Sequence, residues 1–229
     1  MRMAAEQSSS PPGADSTEVA YAAHHDLRTP VVAICQLIDS IQEDFAAELP
    51  LEVTRRLVLV RDRADRLDGM LKRLTRLWRA ADTSEPPRLI GLAPLVSQIA
   101  RDLDAPPAAV IAADRAKVEA PRRAFRMLLG ELVDNAIRHG GREDVEVRVG
   151  ATRREDGWEI TVSDNGVGIP ARYRDRVWRP FSTLDTRPTC AGLGLAIARR
   201  IVESHGGRAW IDETPGGGAR VVLFWPRAD

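Results

Sequence analysis

Apolar positions near the start of the chain form two heptad seams, each with alternating spacings of four and three residues. The first seam comprises Ala20, His24, Leu27, Val31, Ile34, Ile38, Ile41 and Phe45. After an interruption at 48–50, the second comprises Val53, Leu57, Val60, Ala64, Leu67, Leu71, Leu74 and Trp78. This spacing is typical of helices that bury one stripe, so the pattern predicts an antiparallel helical hairpin over residues 15–81.

The hairpin is expected to form a homodimer. Two helices alone cannot enclose their apolar stripes, and two such hairpins bury them best as a four-helix bundle. The alternative is that the hairpin packs on the rest of the same chain.

The segments on either side of the hairpin have a different composition. Residues 1–14 are rich in Ser, Pro, Ala and Gly and are expected to be a disordered tail. Residues 82–88 include two prolines that prevent a helix from continuing, which predicts a linker. A second domain is therefore expected over residues 89–229.

The second domain alternates helical and strand patterns. Helices are predicted over 92–103, 121–139 and 193–205, and strands around 145–149, 158–162, 209–211 and 220–225. Short turns join neighbouring strand pairs, so the order favours an α+β fold with a sandwich of helices on a sheet rather than a strictly parallel sheet.

Charge and composition exclude several classes of protein. Lys plus Arg and Asp plus Glu both number 33, so the bulk charge does not favour nucleic acid or anionic membrane. No apolar run approaches the ~18 residues of a membrane span, and the first residues do not read as a signal peptide. Cys35 and Cys190 are too few for a disulfide framework, which suits a reducing compartment. We therefore expect a cytoplasmic protein with no membrane or nucleic-acid partner.

Three segments of the second domain could each meet a nucleotide. Glu131, Asn135 and Arg138 share one face of a predicted helix, where oxygen ligands can hold Mg²⁺ and Arg138 can reach phosphate. The segment 164–170 (DNGVGIP) follows a strand, and its Asp could accept a hydrogen bond from an exocyclic amine. The segment 192–194 (GLG) opens a helix whose free amides favour an anion. Each segment alone is a weak signal, because ordinary turns and solvated helix faces often have similar sequences.

Together and in this order, the three segments resemble the N, G1 and G2 boxes of the GHKL ATPase superfamily, which has the Bergerat fold. The segment 178–181 (WRPF) resembles the F box of histidine kinases, and 25–30 (HDLRTP) resembles the H box of two-component sensor kinases. Over residues 15–229 the chain thus resembles the catalytic core of a two-component histidine kinase. The few residues between 181 and 192 are similar to the short ATP lid of phytochrome-type kinases.

The resemblance implies ATP and Mg²⁺ as cofactors, autophosphorylation of His25, and transfer to an Asp of a separate response-regulator receiver. Asp26 would polarise the imidazole, and Thr29 would position water for dephosphorylating the receiver. Asn135 and Glu131 would be the metal residues. The other residues that the resemblance places at the nucleotide are Arg138, His139, Asp164, Gly166, Gly168, Phe181, Gly192, Leu193 and Gly194.

Departures from the pattern leave alternatives open. Glu131 stands where histidine kinases usually have Asn and resembles the general base of hydrolysing GHKL enzymes, so a GHKL-type ATPase is one alternative. Cys190 and Ala191 stand where a further glycine is usual. A histidine phosphotransfer or scaffold protein that does not use ATP is another alternative. The input signal is expected from a sensory partner in trans or from the rest of a longer chain.

Two adjacent histidines precede the acid of the H-box-like segment. His24 falls on the apolar seam, and one residue later the helix has turned by about 100°, which carries His25 toward solvent. The spacing therefore favours His25 as the phosphoacceptor.

Overall fold

The computed structural model describes residues 14–46, 48–80, 84–140, 144–184, 192–212 and 217–227, with side chains from residue 26 onward except those of 78 and 79. The chain divides into two compact units, Met1–Trp78 and Arg79–Asp229. No helix in these ranges has the length and apolar character needed to cross a membrane. Residues 1–13 of the expected tail lie outside the described residues, and residue 14 already belongs to the first helix.

The first unit is a helical hairpin of α1 (Ala14–Asp44) and α2 (Leu51–Arg79). Arg28 in the middle of α1 bonds Asp68 in the second half of α2, with Nε and Oδ1 2.8 Å apart. Further along, Arg61 Nη1 donates to the Cys35 carbonyl at 3.3 Å. The earlier α1 residue, Arg28, contacts the later α2 residue, Asp68, while the later α1 residue, Cys35, contacts the earlier Arg61. The two helices are therefore antiparallel.

Each seam is covered at alternate positions within one hairpin. The buried seam residues are Val31, Ile38, Ala64 and Leu71, each at most 7% exposed. The exposed seam residues are 38–56% exposed, and they are Leu27, Ile34, Ile41, Phe45, Val53, Val60 and Leu67. A single hairpin therefore leaves half of each apolar seam in contact with water.

The second unit combines short strands with amphipathic helices. Its helices are α3 (Leu92–Asp102), α4 (Arg122–His139) and α5 (Gly194–Ser204). Its strands are β1 (Arg88–Gly91), β2 (Val110–Ala113), β3 (Lys117–Ala120), β4 (Glu146–Arg154), β5 (Gly157–Asp164), β6 (Arg208–Asp212) and β7 (Arg220–Pro226). Two 3₁₀ turns, Ala171–Tyr173 and Arg176–Trp178, lie between β5 and α5.

The larger sheet has the strand order β2-β4-β5-β7-β6. Strand β2 is parallel to β4, and the other neighbouring pairs are antiparallel. Strand β1 pairs with β3 in a separate antiparallel ladder. This mixed sheet confirms the predicted α+β class.

The core lies between the helices and one face of the larger sheet. In β4, Val147 and Val149 are buried while Glu146 and Arg148 are exposed, the alternation of a sheet with one covered face. The fully buried side chains of this unit include Phe125, Leu128, Leu129, Ile160, Ile197, Ile201 and Leu223. The apolar stripes of α4 and α5 thus pack on the β4–β5–β7–β6 part of the sheet.

Three short strands were not predicted from the sequence. β1, β2 and β3 have four residues each, too few to show a clear strand period. Arg88, expected at the end of the 82–88 linker, is the first residue of β1. Glu85 in the same segment accepts a hydrogen bond from the Arg123 amide at 2.7 Å, so this part of the linker is fixed at the start of α4.

Candidate nucleotide-binding site

The Asp164 carboxylate at the end of β5 is held by two backbone amides. Its Oδ1 accepts hydrogen bonds from the amides of Gly166 at 2.9 Å and Ala219 at 3.1 Å. Its own amide donates to the Ala219 carbonyl at 2.9 Å. The two bonds to Oδ1 fix the plane of the carboxylate, and Oδ2 makes no hydrogen bond within the described part of the chain. A half-buried acceptor is therefore available to a ligand donor.

The loop after Asp164 packs against a second glycine-rich segment so closely that side chains are excluded. Gly168 has φ +73°, and a Cβ there would lie 2.7 Å from the Gly218 carbonyl oxygen. Gly218 has φ +84°, and its Cβ would overlap the Asp164 carbonyl oxygen. Because both residues combine a left-handed backbone with a close backbone neighbour, only glycine fits either position. The Gly218 segment was not predicted as part of the site, although a GGG run at 216–218 directly before a predicted strand is a usable signal.

Asn165 fastens the same loop to the beginning of β4. Its Oδ1 accepts a hydrogen bond from the Glu146 amide at 2.9 Å, and its Nδ2 donates to the Asp144 carbonyl at 2.8 Å. Both ends of the side-chain amide are thus used within the protein. Asn165 thus supports the loop that carries Asp164, a role that its position in the sequence did not predict.

Helix α4 presents the predicted polar face. Glu131 is 4% exposed, the buried charged residue of the described core, and Asn135 one turn later is half-buried. Arg138 is exposed and pairs with Asp134, with Nε and Oδ1 2.6 Å apart. His139 ends the helix and is half-buried. Arg138, expected at phosphate, thus has a carboxylate partner on its own helix.

The N-terminus of α5 lies against Glu131. Gly194 is the first residue of α5, and a Cβ on it would lie 3.3 Å from Glu131 Oε2. Leu193 is fully buried just before the helix. The buried carboxylate therefore sits at the positive end of a helix dipole, where negative charge is favoured.

The backbone of Phe181 lies close to Gly192, two residues before the start of α5. Gly192 has φ +63°, and a Cβ there would lie 2.6 Å from the Ser182 carbonyl oxygen and 2.8 Å from the Phe181 carbonyl carbon. Phe181 itself has φ +62°, and its side chain is 62% exposed. The backbone at Phe181 thus approaches the start of α5, while the ring points into solvent. Residues 185–191, which include Cys190 and Ala191, lie outside the described residues.

These contacts join the predicted segments into one surface of the second unit. A Cβ on Gly166 would lie 2.6 Å from Gly140 Cα, so the Asp164 loop touches the end of α4. From there α4 runs back past the half-buried Asn135 to the buried Glu131, which lies against the start of α5. The arrangement offers a fixed carboxylate acceptor at one end and helix-terminal amides at the other, a combination that suits a nucleotide with its base and phosphates apart.

The H-box-like segment lies in α1 of the hairpin. Asp26, Arg28 and Thr29 are exposed. The side chain of His25 lies outside the described side chains, and the structure gives its backbone as helical. The predicted phosphoacceptor is thus in a separate compact unit from the nucleotide segments.

Residues 120–229 match the family of histidine kinase-, DNA gyrase B- and HSP90-like ATPases. This region is a histidine kinase-type ATPase domain. The match begins at Ala120, the end of β3, and includes α4, the Asp164 loop and α5, which carry the site described above.

Similarity to known proteins extends beyond this ATPase domain into the rest of the chain. The chain is 30% identical over 219 residues to the methanogenesis regulatory histidine kinase FilI of Methanothrix harundinacea, with 93% of the chain and 25% of FilI covered. It is 30% identical over 217 residues to the adaptive-response sensory kinase SasA of Parasynechococcus marenigrum, with 88% of the chain and 54% of SasA covered. The chain therefore spans a quarter to a half of these relatives.

Two solved structures share the fold. Full-length ShkA in complex with AMPPNP superposes with a TM-score of 0.67 at 22% identity, covering 93% of this chain and 47% of ShkA. The ATP-binding domain of PrrB from Mycobacterium tuberculosis gives a TM-score of 0.51 at 26% identity, covering 63% of this chain and all of that domain. The first likeness includes the hairpin as well as the ATPase domain.

Proposed function

We propose that the protein is an ATP-dependent protein histidine kinase that autophosphorylates His25 and passes the phosphoryl group to an Asp of a separate response-regulator receiver. The observation that carries the proposal is the fixed Asp164 carboxylate on a surface continuous with the start of α5, in a chain that also has an H-box-like helix. The relatives FilI and SasA, both named as kinases, align with both units and support it.

Asp164 is the proposed adenine contact. Its Oδ1 is occupied by two protein amides, so Oδ2 is left to accept a hydrogen bond from the exocyclic amine of the base. Gly166 and Gly168 let the backbone approach the ring without a Cβ in the way. At the other end of the surface, the amides around Leu193 and Gly194 would meet the phosphates at the start of α5.

Asn135 and Glu131 are the proposed magnesium residues. Both offer oxygen, the ligand atom that Mg²⁺ prefers, one helical turn apart on α4. No group of three or more His, Cys, Asp or Glu suited to a metal occurs within the described residues, so ATP oxygens and water would complete the ligand set. When bound, the metal would neutralise phosphate charge.

The phosphoryl transfer itself needs little covalent help from the protein. An imidazole nitrogen of His25 forms a bond to the γ-phosphorus, the bond from phosphorus to the β–γ bridging oxygen breaks, and ADP leaves. The exposed Asp26 carboxylate would polarise the imidazole and accept its proton. Thr29, exposed one turn later, would hold the water that dephosphorylates the receiver.

A second copy of the chain is the proposed cover for the exposed half of the seams. Leu27, Ile34 and Ile41 on α1 and Val53, Val60 and Leu67 on α2 are exposed at heptad spacing. An identical hairpin offers the same spacing, and pairing would give a four-helix bundle with both seams buried. We further propose that input arrives from a sensory partner in trans or from a longer chain.

Incubation with γ-labelled ATP and Mg²⁺ tests the proposal directly. The expected result is label on the protein that is lost in acid and stable in base, as a phosphohistidine is. Release of labelled phosphate without protein label would instead favour a GHKL-type ATPase that uses Glu131. Absence of nucleotide binding would favour a phosphotransfer or scaffold protein and refute the kinase.

A further inference from the structure

An ion-paired carboxylate on α2 holds the H-box turn, which we define as residues 25–30 of α1. Asp68 Oδ1 lies 2.8 Å from Arg28 Nε, and Asp68 Oδ2 lies 2.5 Å from Lys72 Nζ. The Asp68 side chain is only 17% exposed, whereas that of Arg28 is 44% exposed. Both carboxylate oxygens are therefore engaged, and one of the partners belongs to the other helix.

The H-box turn of α1 lacks one backbone hydrogen bond of a regular helix. Pro30 lies inside the helix and has no amide to donate to the Asp26 carbonyl four residues earlier. Among the described side chains of the hairpin, the buried cluster of Val31, Ala64 and Leu71 includes no residue of α1 before the proline. In sequence, His25 lies before the proline and the cluster lies after it.

A contact that restrains Arg28 also restrains the position of His25. The two residues are three apart on a helix and so share one face. Arg28 also lies within the four residues that span the missing hydrogen bond. A contact that fixes Arg28 against α2 therefore fixes the turn that presents His25.

We propose that Asp68 is a positioning residue that, through Arg28, holds the H-box turn against α2 and so sets the place from which His25 reacts. This inference rests on the proposed phosphorylation of His25. Its effect would reach the reaction through Arg28 and the backbone of α1.

The test compares Asp68→Asn with Asp39→Asn in the full chain. Asp39 is a matched control because it also pairs across the hairpin, with Arg61, but on the far side of the buried cluster. With γ-labelled ATP, Asp68→Asn is expected to lower the maximal labelling rate about tenfold with KM for ATP unchanged, because misplaced reactants lose rate rather than binding. Asp39→Asn should retain the wild-type rate. The charge-swapped double variant Arg28→Asp with Asp68→Arg should recover most of the loss.

Amide hydrogen exchange gives a readout that does not depend on phosphorylation. Exchange at residues 26–29 should become about tenfold faster in Asp68→Asn, and remain at the wild-type rate in Asp39→Asn, because only the first variant releases the turn. Unchanged exchange there, or equal changes in both variants, would overturn the positioning role. A wild-type protein that takes no label would refute the proposed function, and exchange would still decide whether Asp68 holds the turn.

Discussion

Asp164 and Ala219, 55 residues apart in the chain, are joined by two hydrogen bonds of opposite direction. The Asp164 amide donates to the Ala219 carbonyl at 2.9 Å, and the Ala219 amide donates to Asp164 Oδ1 at 3.1 Å. The first bond continues the pairing of β5 with β7 by one residue. In the second bond, a side-chain oxygen of Asp164 is the acceptor in place of a backbone carbonyl. Strand pairing therefore orients the carboxylate that we propose as the adenine contact.

Asp164→Asn tests this contact with little change of shape. The Asn oxygen can still accept from Gly166 and Ala219, while its NH₂ group replaces Oδ2 and opposes the adenine amine donor to donor. Binding of an ATP analogue by calorimetry should weaken by about 2 kcal/mol, roughly thirtyfold in Kd. Asp114→Asn is the control. Asp114 also accepts a hydrogen bond from a backbone amide, that of Ala151 at 3.2 Å, but it lies away from this surface. Wild-type affinity in the Asp164 variant would refute the assignment.

Gly218→Ala should damage both the fold and the site. Its left-handed backbone costs a non-glycine residue about 1–3 kcal/mol, and the new Cβ would overlap the Asp164 carbonyl oxygen. We expect a loss of at least about 2 kcal/mol in the free energy of unfolding of the ATPase domain, measured in urea, and loss of nucleotide binding. Gly130→Ala is the matched control, because a Cβ there has no neighbour within 4 Å and lies inside α4. That variant should be stabilised by about 0.5–1 kcal/mol. A Gly218 variant as stable as Gly130→Ala would contradict the close packing.

The sequence predicted what depends on local periodicity and missed what depends on pairing across the chain. Helices α3, α4 and α5 follow the predicted ranges closely because their apolar spacing is strong. Asp164 could be singled out because DNG follows a strand. The partners that orient it come from a loop whose place is set only when β5 and β7 pair. The choice of Asp68 as the partner of Arg28, among many charges on α2, likewise becomes visible only once the helices are packed.

Stability of the hairpin should fall in acid through Asp68. Partial burial raises the pKa of this carboxyl, but hydrogen bonds from Lys72 and Arg28 and their positive charges lower it by more, so its pKa lies below the ordinary value. A carboxyl with a lower pKa in the folded state stabilises the fold above its unfolded pKa and loses that contribution as the pH falls through its folded pKa. Thermal melts between pH 7 and pH 2 should show a smaller acid-side decrease in Asp68→Asn than in the wild type. Parallel curves for the two proteins would show that Asp68 does not contribute.

Dimerisation should depend on the seam rather than on exposed apolar area in general. Val60 is 48% exposed on the α2 seam, and its neighbour Leu59 is 59% exposed about 100° away around the helix. Val60→Asp would place a charge in the bundle core, where desolvation without a partner is costly. Sedimentation equilibrium should therefore find a monomer for Val60→Asp and a dimer for Leu59→Asp. A dimer that is lost only in the Leu59 variant would place the interface on another face of α2.

The two adjacent histidines provide the sharpest test of the hairpin register. His24 falls on the apolar seam, between Ala20 and Val31, and a phosphorylated imidazole there would bring charge into the bundle core at a cost of several kcal/mol. His25 follows one residue later, about 100° around the helix, on the face that it shares with Arg28. His25→Gln should therefore eliminate acid-labile label, while His24→Gln should keep the label and lower the dimer's melting temperature. Mass spectrometry that locates phosphate on His24 would show that the seam is displaced by one residue, and the roles proposed for Asp26, Thr29 and Asp68 would fall with it.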